Sequence, residues 1–476
     1  MNPALDLTTA ATVLVLFSIL WIFLGYWWGR GNSELDDYML AGRKVGLSLA
    51  TCTAMATWVT SNTTMVAPQL ALQMGIWGMV GYSLGSVGLL LFAPMSSRIR
   101  SLMPTGYTSG DFFRLRYGTT SWRIFLVISL VYSMFWLISL GMAGGILIES
   151  LSGIDYKIGM TVILTICVAY TMLGGLKAVI GTDFIQTVVI LVGVVAVGVM
   201  VAQSPSLDNI FQETMHRRPQ LLNLLLPAGI MFLFNNLLFG MGEIFHSNVW
   251  WSRAFAFGKG VGFKAYFLAG IFWAPVPIAA GFIALASVAM DINIPQPDQV
   301  GPIVAAAVLG KAGAVLIFVV IFSALASSLD SLLAATSDLL LEDVYKRHIK
   351  PNASRQNMRK AATIVTLLLG LVTWIICLPR ISDLARMLHF TGALVASTIW
   401  PIVAGLYWRR TNRYGAAAAM VLGSALGLVS YFAVGFYVAA LSGAAVSFLV
   451  TVITTLLWPQ EFSWDSLHEK EDSMEQ

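Results

Sequence analysis

The chain has 476 residues, 57% of them hydrophobic and 11% charged, with a formal net charge of +4. That composition excludes a soluble globular domain of this length: uncharged stretches of about 20 residues recur along almost the whole sequence, each able to cross a ~30 Å hydrocarbon layer as a helix. The basic residues sit in short loops between these stretches, which excludes a nucleic-acid surface, and no Cys/His cluster, phosphate loop or nucleophile–base pair marks an enzyme.

In chain order, the apolar runs predict an all-α polytopic membrane protein with 13 transmembrane helices. They lie roughly at 8–28, 47–74, 78–97, 122–149, 158–175, 184–203, 222–244, 264–289, 312–342, 358–379, 383–407, 415–436 and 440–458. The first run lacks a basic leader and is long, so it reads as a retained helix and not a signal peptide. Cys52, Cys167 and Cys377 all fall inside apolar runs, as buried thiols do. With the N-terminus outside, 22 of the 28 Lys and Arg lie on the inner side, Arg253 among them, which predicts an N-out, C-in orientation. Residues 1–46 then form an extra first helix and a cytoplasmic loop. Spans 2–6 (47–203) and spans 7–11 (204–407) make two sets of five that start on opposite sides of the membrane, the arithmetic of an inverted repeat. Residues 408–460 hold two C-terminal helices, and 461–476 a cytoplasmic tail whose acidic end, EKEDSMEQ, is expected to be solvated.

Two spans break the apolar rule. Span 2 carries Thr51, Thr53, Thr57, Thr60, Ser61, Asn62, Thr63 and Thr64, then Pro68 and Gln69. Side-chain-bonding residues and a proline argue for a local break in this helix, which would free carbonyl oxygens inside the membrane. The plainer alternative is that each threonine bonds back to its own helix. In span 9, Ala324, Ser327, Ser328 and Ser331 share one face, with Ser323, Ser327 and Asp330 on an adjoining stripe. Such a face must meet a small cation, a water-filled path or another helix. Asp330 needs a cation, a proton or a donor beside it. Hydroxyls of span 9 with freed carbonyls of span 2 would make an oxygen cage for Na⁺.

The segments DYMLAGRKVG, GGLKAVIGTDFIQ, NVWWSRAFAFGKG and SALASSLDS…EDVYKR, spread over nearly the whole chain, resemble the sodium/solute symporter family of sodium-coupled glucose, proline, sialic acid and urea carriers. The resemblance implies a LeuT-type core of two inverted five-helix repeats, here spans 2–11. It implies a sodium site made by the carbonyls of Cys52, Met55 and Ala324 and the hydroxyls of Ser327 and Ser328. It further implies a second sodium or a proton near Asp183, Asp330 and Ser331; the residue-level alternative for Asp183 is a helix cap at the membrane surface. The stretch TWVTSNTTMVAPQLALQMGIWGMVGYSLG is most similar to the urea carriers, with Trp58, Gly75, Gly78, Tyr82 and Gly85 at equivalent positions.

The solute is then expected between spans 2, 3, 4, 7, 9 and 11. Candidate contacts are Thr57, Trp58, Asn62, Gln69, Tyr82, Trp136, Asn235, Asn236, Ser331 and His389. Two adjacent amides such as Asn235 and Asn236 cannot both face lipid cheaply, and they either bind solute or join helices. His389 reads equally as an interface histidine. No Lys or Arg falls in the centre of a core span, which points to a neutral or zwitterionic solute: urea or a related amide, a sugar or an amino acid. The expected protein is a sodium-coupled secondary active symporter, not an enzyme. It would sit in a bacterial cytoplasmic (inner) membrane, with a small polar solute and the bilayer as its partners, no nucleic acid, and a monomer sufficient. The alternative is a transporter-like solute sensor that signals to a partner protein.

Overall fold

The structure is a computed structural model that describes residues 4–468 apart from 30–34, 202, 204 and 205. Arg30, Lys470 and the acidic end of the tail lie outside the described residues. The chain opens with α1 (Leu7–Gly29) and the short α2 (Leu35–Leu40). Span 2 appears as two helices, α3 (Leu47–Trp58) and α4 (Ser61–Met74), and span 3 as α5 (Ile76–Ser83) and α6 (Ser86–Leu102). Then come α7 (Ser109–Ser152), α8 (Tyr156–Val201), the amphipathic α9 (Leu207–Arg217) and α10 (Pro227–His246). The chain turns at Ser247 into α11 (Asn248–Ala256), followed by α12 (Val261–Trp273) and α13 (Pro275–Ala289). The long α14 (Val300–Leu340) continues into a π-helical turn, Leu341–Ile349. The chain closes with α15 (Arg355–Cys377), α16 (Leu384–Phe390), α17 (Gly392–Tyr407), α18 (Arg413–Ala433) and α19 (Ala439–Leu457).

Among the described residues, 11 helices are long and apolar enough to cross a membrane. The other two expected spans appear as the broken pair α3–α4 and as a shorter apolar helix, Tyr156–Met172. The latter is divided from the rest of α8 at Gly175, whose φ of +59° suits glycine alone. α14 is the central element, packed against α8, α7, α4 and α3. Large apolar side chains such as Val15, Ile19, Leu371, Val429 and Leu449 face outward from α1, α15, α18 and α19. Exposed apolar surface on that scale is what lipid covers.

The break in span 2 falls at Val59–Thr60, and the threonines make it. Thr60 caps α4: its hydroxyl accepts from the Thr63 N–H at 3.0 Å, while Thr63 Oγ1 accepts from the Thr60 N–H at 3.2 Å. The Thr63 hydroxyl also donates to the Trp58 carbonyl at 3.0 Å, one of the acceptors left over at the end of α3. Pro68 sits inside α4 and does not mark the break. Bonding back within its own segment describes Thr64, which reaches the Thr60 and Ser61 carbonyls, but not Thr53 or Thr57, which reach other helices.

The two ends of α14 are tied differently. Near its start, Gln69 Nε2 donates to Asp383 at 2.8 Å, and Arg380 pairs with Asp298 at 3.0 Å. Beyond its far end, Asp343 accepts from the Thr108 hydroxyl and from Trp122 Nε1, each at 2.7 Å, and Arg347 pairs with Asp111 at 2.9 Å. The described part of the tail is docked: Arg116 lies over the Phe462 ring, Arg98 over Trp464, and Arg410 pairs with Glu461.

Candidate functional site

At the end of α3, Thr53 and Thr57 are one turn apart and point at α8, α11 and α14. Asp183 of α8 is their main acceptor and is fully buried. It receives the Thr53 hydroxyl at 2.5 Å, the Ser327 hydroxyl at 2.6 Å and Arg253 Nη2 at 3.3 Å. Asp183 therefore is not a surface helix cap: it lies within α8, past the Gly175 kink, among groups of three other helices.

Arg253 corrects the expectation that it belongs to an inner loop and that the core holds no buried cation. α11 turns back against the bundle, and the Val45 backbone brackets its end, with Val45 N–H donating to Ala256 O at 3.2 Å and Val45 O accepting from Gly258 N–H at 3.0 Å. The guanidinium is fully buried. Nε donates to Thr53 Oγ1 at 3.0 Å, Nη1 to the Val249 carbonyl at 3.2 Å, and Nη2 faces Thr57 Oγ1 at 2.8 Å and Ser331 Oγ at 2.7 Å as well as Asp183. Only a planar fork of donors meets so many acceptors at once. Two of the residues expected to hold a second cation, Asp183 and Ser331, thus already surround a cation of the chain itself.

Beside this cluster, the Ser328 hydroxyl lies 3.2 Å from the Thr57 carbonyl and 2.9 Å from the Ala324 carbonyl, joining α3 to α14. The Thr187 hydroxyl lies 2.9 Å from the Cys52 carbonyl and 2.7 Å from the Asp183 carbonyl. The Met55 carbonyl takes the Val59 N–H at 2.9 Å, the last helical bond before the break. The carbonyls of Cys52, Met55 and Ala324 and the hydroxyls of Ser327 and Ser328 are hard oxygen donors, the chemistry that suits Na⁺, and each is engaged by a neighbour within the protein. Asp330 faces elsewhere. Its Oδ2 lies 3.1 Å from the Tyr170 hydroxyl, which also lies 2.9 Å from the Ala326 carbonyl, and its Oδ1 has no partner. One phenolic hydrogen cannot serve both acceptors.

The expected solute contacts divide by how far the protein already satisfies them. Gln69 uses both ends of its amide, donating to Asp383 and accepting from the Ala385 N–H at 3.2 Å, which places it in a tie between α4 and α16. Asn235 joins α10 to α19 through Phe436 O, Ala440 N and Leu441 N. Asn236 joins α10 to α5 through the Gly81 and Tyr82 carbonyls and lies 3.0 Å from His389 Nε2; His389 Nδ1 lies 2.7 Å from Ala385 O. His389 is buried between helices. Asn62 accepts from Ser139 at 3.0 Å but leaves its Nδ2 unpartnered. Trp58 and Trp136 are buried with unpartnered indole N–H groups, and Tyr82 packs on Trp273. Sequence reasoning passed over Arg253, Tyr170 and Glu243; the last two were findable as a phenol and a carboxylate inside apolar runs.

The family model for the sodium:solute symporter family matches residues 38–423. The chain is 26% identical to the urea-proton symporter DUR3 of Oryza sativa subsp. japonica, over 95% of this chain and 70% of that protein. It is 24% identical to the high-affinity proline transporter PutP of Bacillus subtilis (strain 168), over 96% of this chain and all of that one. The fold is similar to that of a Na⁺-coupled sialic acid symporter solved in a substrate-bound, outward-open state, with a TM-score of 0.77 at 19% identity over 95% of this chain and 99% of the other.

Proposed function

We infer the function from what the chain is: it belongs to the sodium:solute symporter family. It is an integral membrane transporter that moves a small polar solute with sodium, and not a sensor. We propose that Na⁺ is held by the carbonyls of Cys52, Met55 and Ala324 and the hydroxyls of Ser327 and Ser328. The observation that carries this is the convergence of α3 and α14 at Ser328, which lies within hydrogen-bonding distance of Thr57 O and Ala324 O beside a helix break. Asp183 supplies negative charge next to that patch through Ser327, and Arg253 takes the place of a second sodium.

In this reading the bundle of spans 2–6 and that of spans 7–11 are inverted repeats that rock about the break. The Gln69–Asp383 and Arg380–Asp298 ties close the outer mouth, and the Asp343 and Arg347 ties close the inner one. The N-terminus lies outside and the C-terminus inside a bacterial cytoplasmic membrane, since moving Arg253 into the core leaves the inner excess of Lys and Arg intact. Loading Na⁺ and solute outside, then releasing both inside, gives import. Relatives that carry urea and proline make these the first two solutes to try. The test is uptake of labelled urea and labelled proline by liposomes holding the purified chain. Uptake should require an inward Na⁺ gradient and vanish with choline in its place. Equal uptake without Na⁺, driven by a pH gradient alone, overturns the sodium reading.

A further inference from the structure

At the end of the bundle where Lys and Arg gather, a cavity of about 500 Å³ opens between the last turns of α6, the end of α11 and the start of α12. Ser96, Ser97, Arg100 and Ser101 line it from α6, and Lys259, between two glycines, lines it from the turn into α12. Gly262 brings the two helices together there: a side chain on it would meet Ser96 Oγ at 2.8 Å. Among the described residues no carboxylate lines the cavity, and none pairs with Lys259, which is exposed. Arg100 donates to the Pro104 carbonyl at its rim. The Ser96 and Ser101 hydroxyls donate back to the Ala93 and Arg98 carbonyls, each at 2.8 Å, so their oxygens keep lone pairs for a further donor.

The cavity stands at the edge of a lipid-facing surface. Along the exposed side of α6, Leu91 and Pro94 give way to Ser97 and Ser101, an apolar-to-polar change within about 9 Å. On the neighbouring α12, the exposed rings of Phe263 and Phe267 stack at 5.9 Å and 7°. Apolar surface therefore leads up to a basic cavity on both helices.

We propose that this cavity is a headgroup site for an anionic phospholipid, with its phosphate against Arg100 and Lys259, its headgroup hydroxyls on Ser96 and Ser101, and its chains along Leu91, Phe263 and Phe267. Two cations without a carboxylate between them attract a phosphate at the membrane surface. The amine of a zwitterionic lipid finds no carboxylate there and meets two like charges instead. A lipid phosphate is held at this depth by its own chains, so it reaches the cavity at a far higher local concentration than free phosphate. Ala254 also lines the cavity, so the seated lipid packs on α11, the helix that carries Arg253 into the core. The site is independent of which solute is moved and of where sodium sits.

The test uses the full chain, purified in detergent and stripped of lipid, then titrated with phosphatidylglycerol, phosphatidylcholine or inorganic phosphate. Native mass spectrometry counts bound lipid, and thermal unfolding is followed in parallel. Phosphatidylglycerol should be retained and raise the melting temperature by binding the folded state. Phosphatidylcholine should bind at least fivefold more weakly, and inorganic phosphate should have no effect at equal concentration. Lys259→Gln should raise the half-saturating phosphatidylglycerol concentration about fivefold, the worth of one basic residue at an anionic surface, and adding Arg100→Gln about fivefold again. Lys259 is exposed and unpaired, so its variant should unfold at the parent temperature without lipid. Lys350→Gln, the same charge change on an exposed position outside the cavity, should leave the titration unchanged. Equal retention of phosphatidylcholine overturns the proposal, and equal stabilisation by inorganic phosphate replaces the lipid with a free anion. An unchanged titration in Lys259→Gln, or equal weakening by Lys350→Gln, refutes a defined site.

Discussion

Replacing Arg253 by Gln removes a fully buried cation from a fully buried carboxylate. The Arg253 Nη2–Asp183 Oδ2 distance of 3.3 Å corresponds to about 5 kcal/mol of attraction at an effective dielectric of about 20. Removing one partner of such a pair leaves the other charge uncompensated, at a typical cost of about 3–5 kcal/mol. Asp183 keeps the Thr53 and Ser327 hydroxyls, and Ser331 and Thr57 lose their donor. What remains is an anionic oxygen pocket, which a sodium ion fits. Arg253→Gln should therefore lose about 3–5 kcal/mol of stability in choline chloride. Sodium should return part of it, roughly 2–3 kcal/mol at a hundred times the dissociation constant, by binding only the folded state. Adding Asp183→Asn should remove both the deficit and the extra sodium response, since the uncompensated charge is gone. The assay is unfolding of detergent-purified protein across NaCl–choline chloride mixtures at constant ionic strength. A loss below about 1 kcal/mol without sodium, or the same sodium stabilisation in variant and parent, would refute the idea that Arg253 stands in for a second cation.

Four further changes separate binding from architecture. Ser328→Ala removes a hydroxyl from the proposed sodium site and leaves a small side chain that still lets α3 and α14 pack; half-saturation of uptake should need about tenfold more Na⁺, with unfolding nearly unchanged. Gln69→Leu deletes both ties to α16, each worth about 1 kcal/mol, so the Ala385 amide should exchange its hydrogen about tenfold faster; an unchanged rate would mean that Gln69 does not hold the mouth. Asn235→Ala should destabilise by about 1–3 kcal/mol through the orphaned Ala440 and Leu441 N–H groups and leave the solute KM alone; a tenfold KM rise at full stability would return Asn235 to the solute site. Asp330→Asn should be tolerated within about 1 kcal/mol, because an amide N–H supplies the hydrogen that Tyr170 cannot give to two acceptors at once; a loss above about 3 kcal/mol would mark an ionised carboxylate balanced by a cation.

What could be read from the sequence is what depends on local contrast. The threonine run of span 2 and the serine stripe of span 9 stand out against apolar neighbours, so both the break and the face that meets it were legible. Arg253 was not, for a physical reason. A basic residue just after a span reads as a loop, and its burial depends on Thr53, Thr57, Asp183 and Ser331, which lie 70 to 200 residues away in sequence. The amides show the same limit from the other side. Sequence alone says that Asn235 and Asn236 must turn inward, and they do. Whether an inward amide binds a ligand or joins helices is decided by how many of its donors and acceptors the protein itself leaves open. Gln69, Asn235, Asn236 and His389 find partners within the chain on both polar ends, so a solute would have to break bonds to reach them. Trp58, Trp136 and Glu243 keep unpaired atoms. An unpaired buried group costs free energy until something pairs it, and that separates Trp58, Trp136 and Asn62, with their open N–H donors, from the amides that join helices.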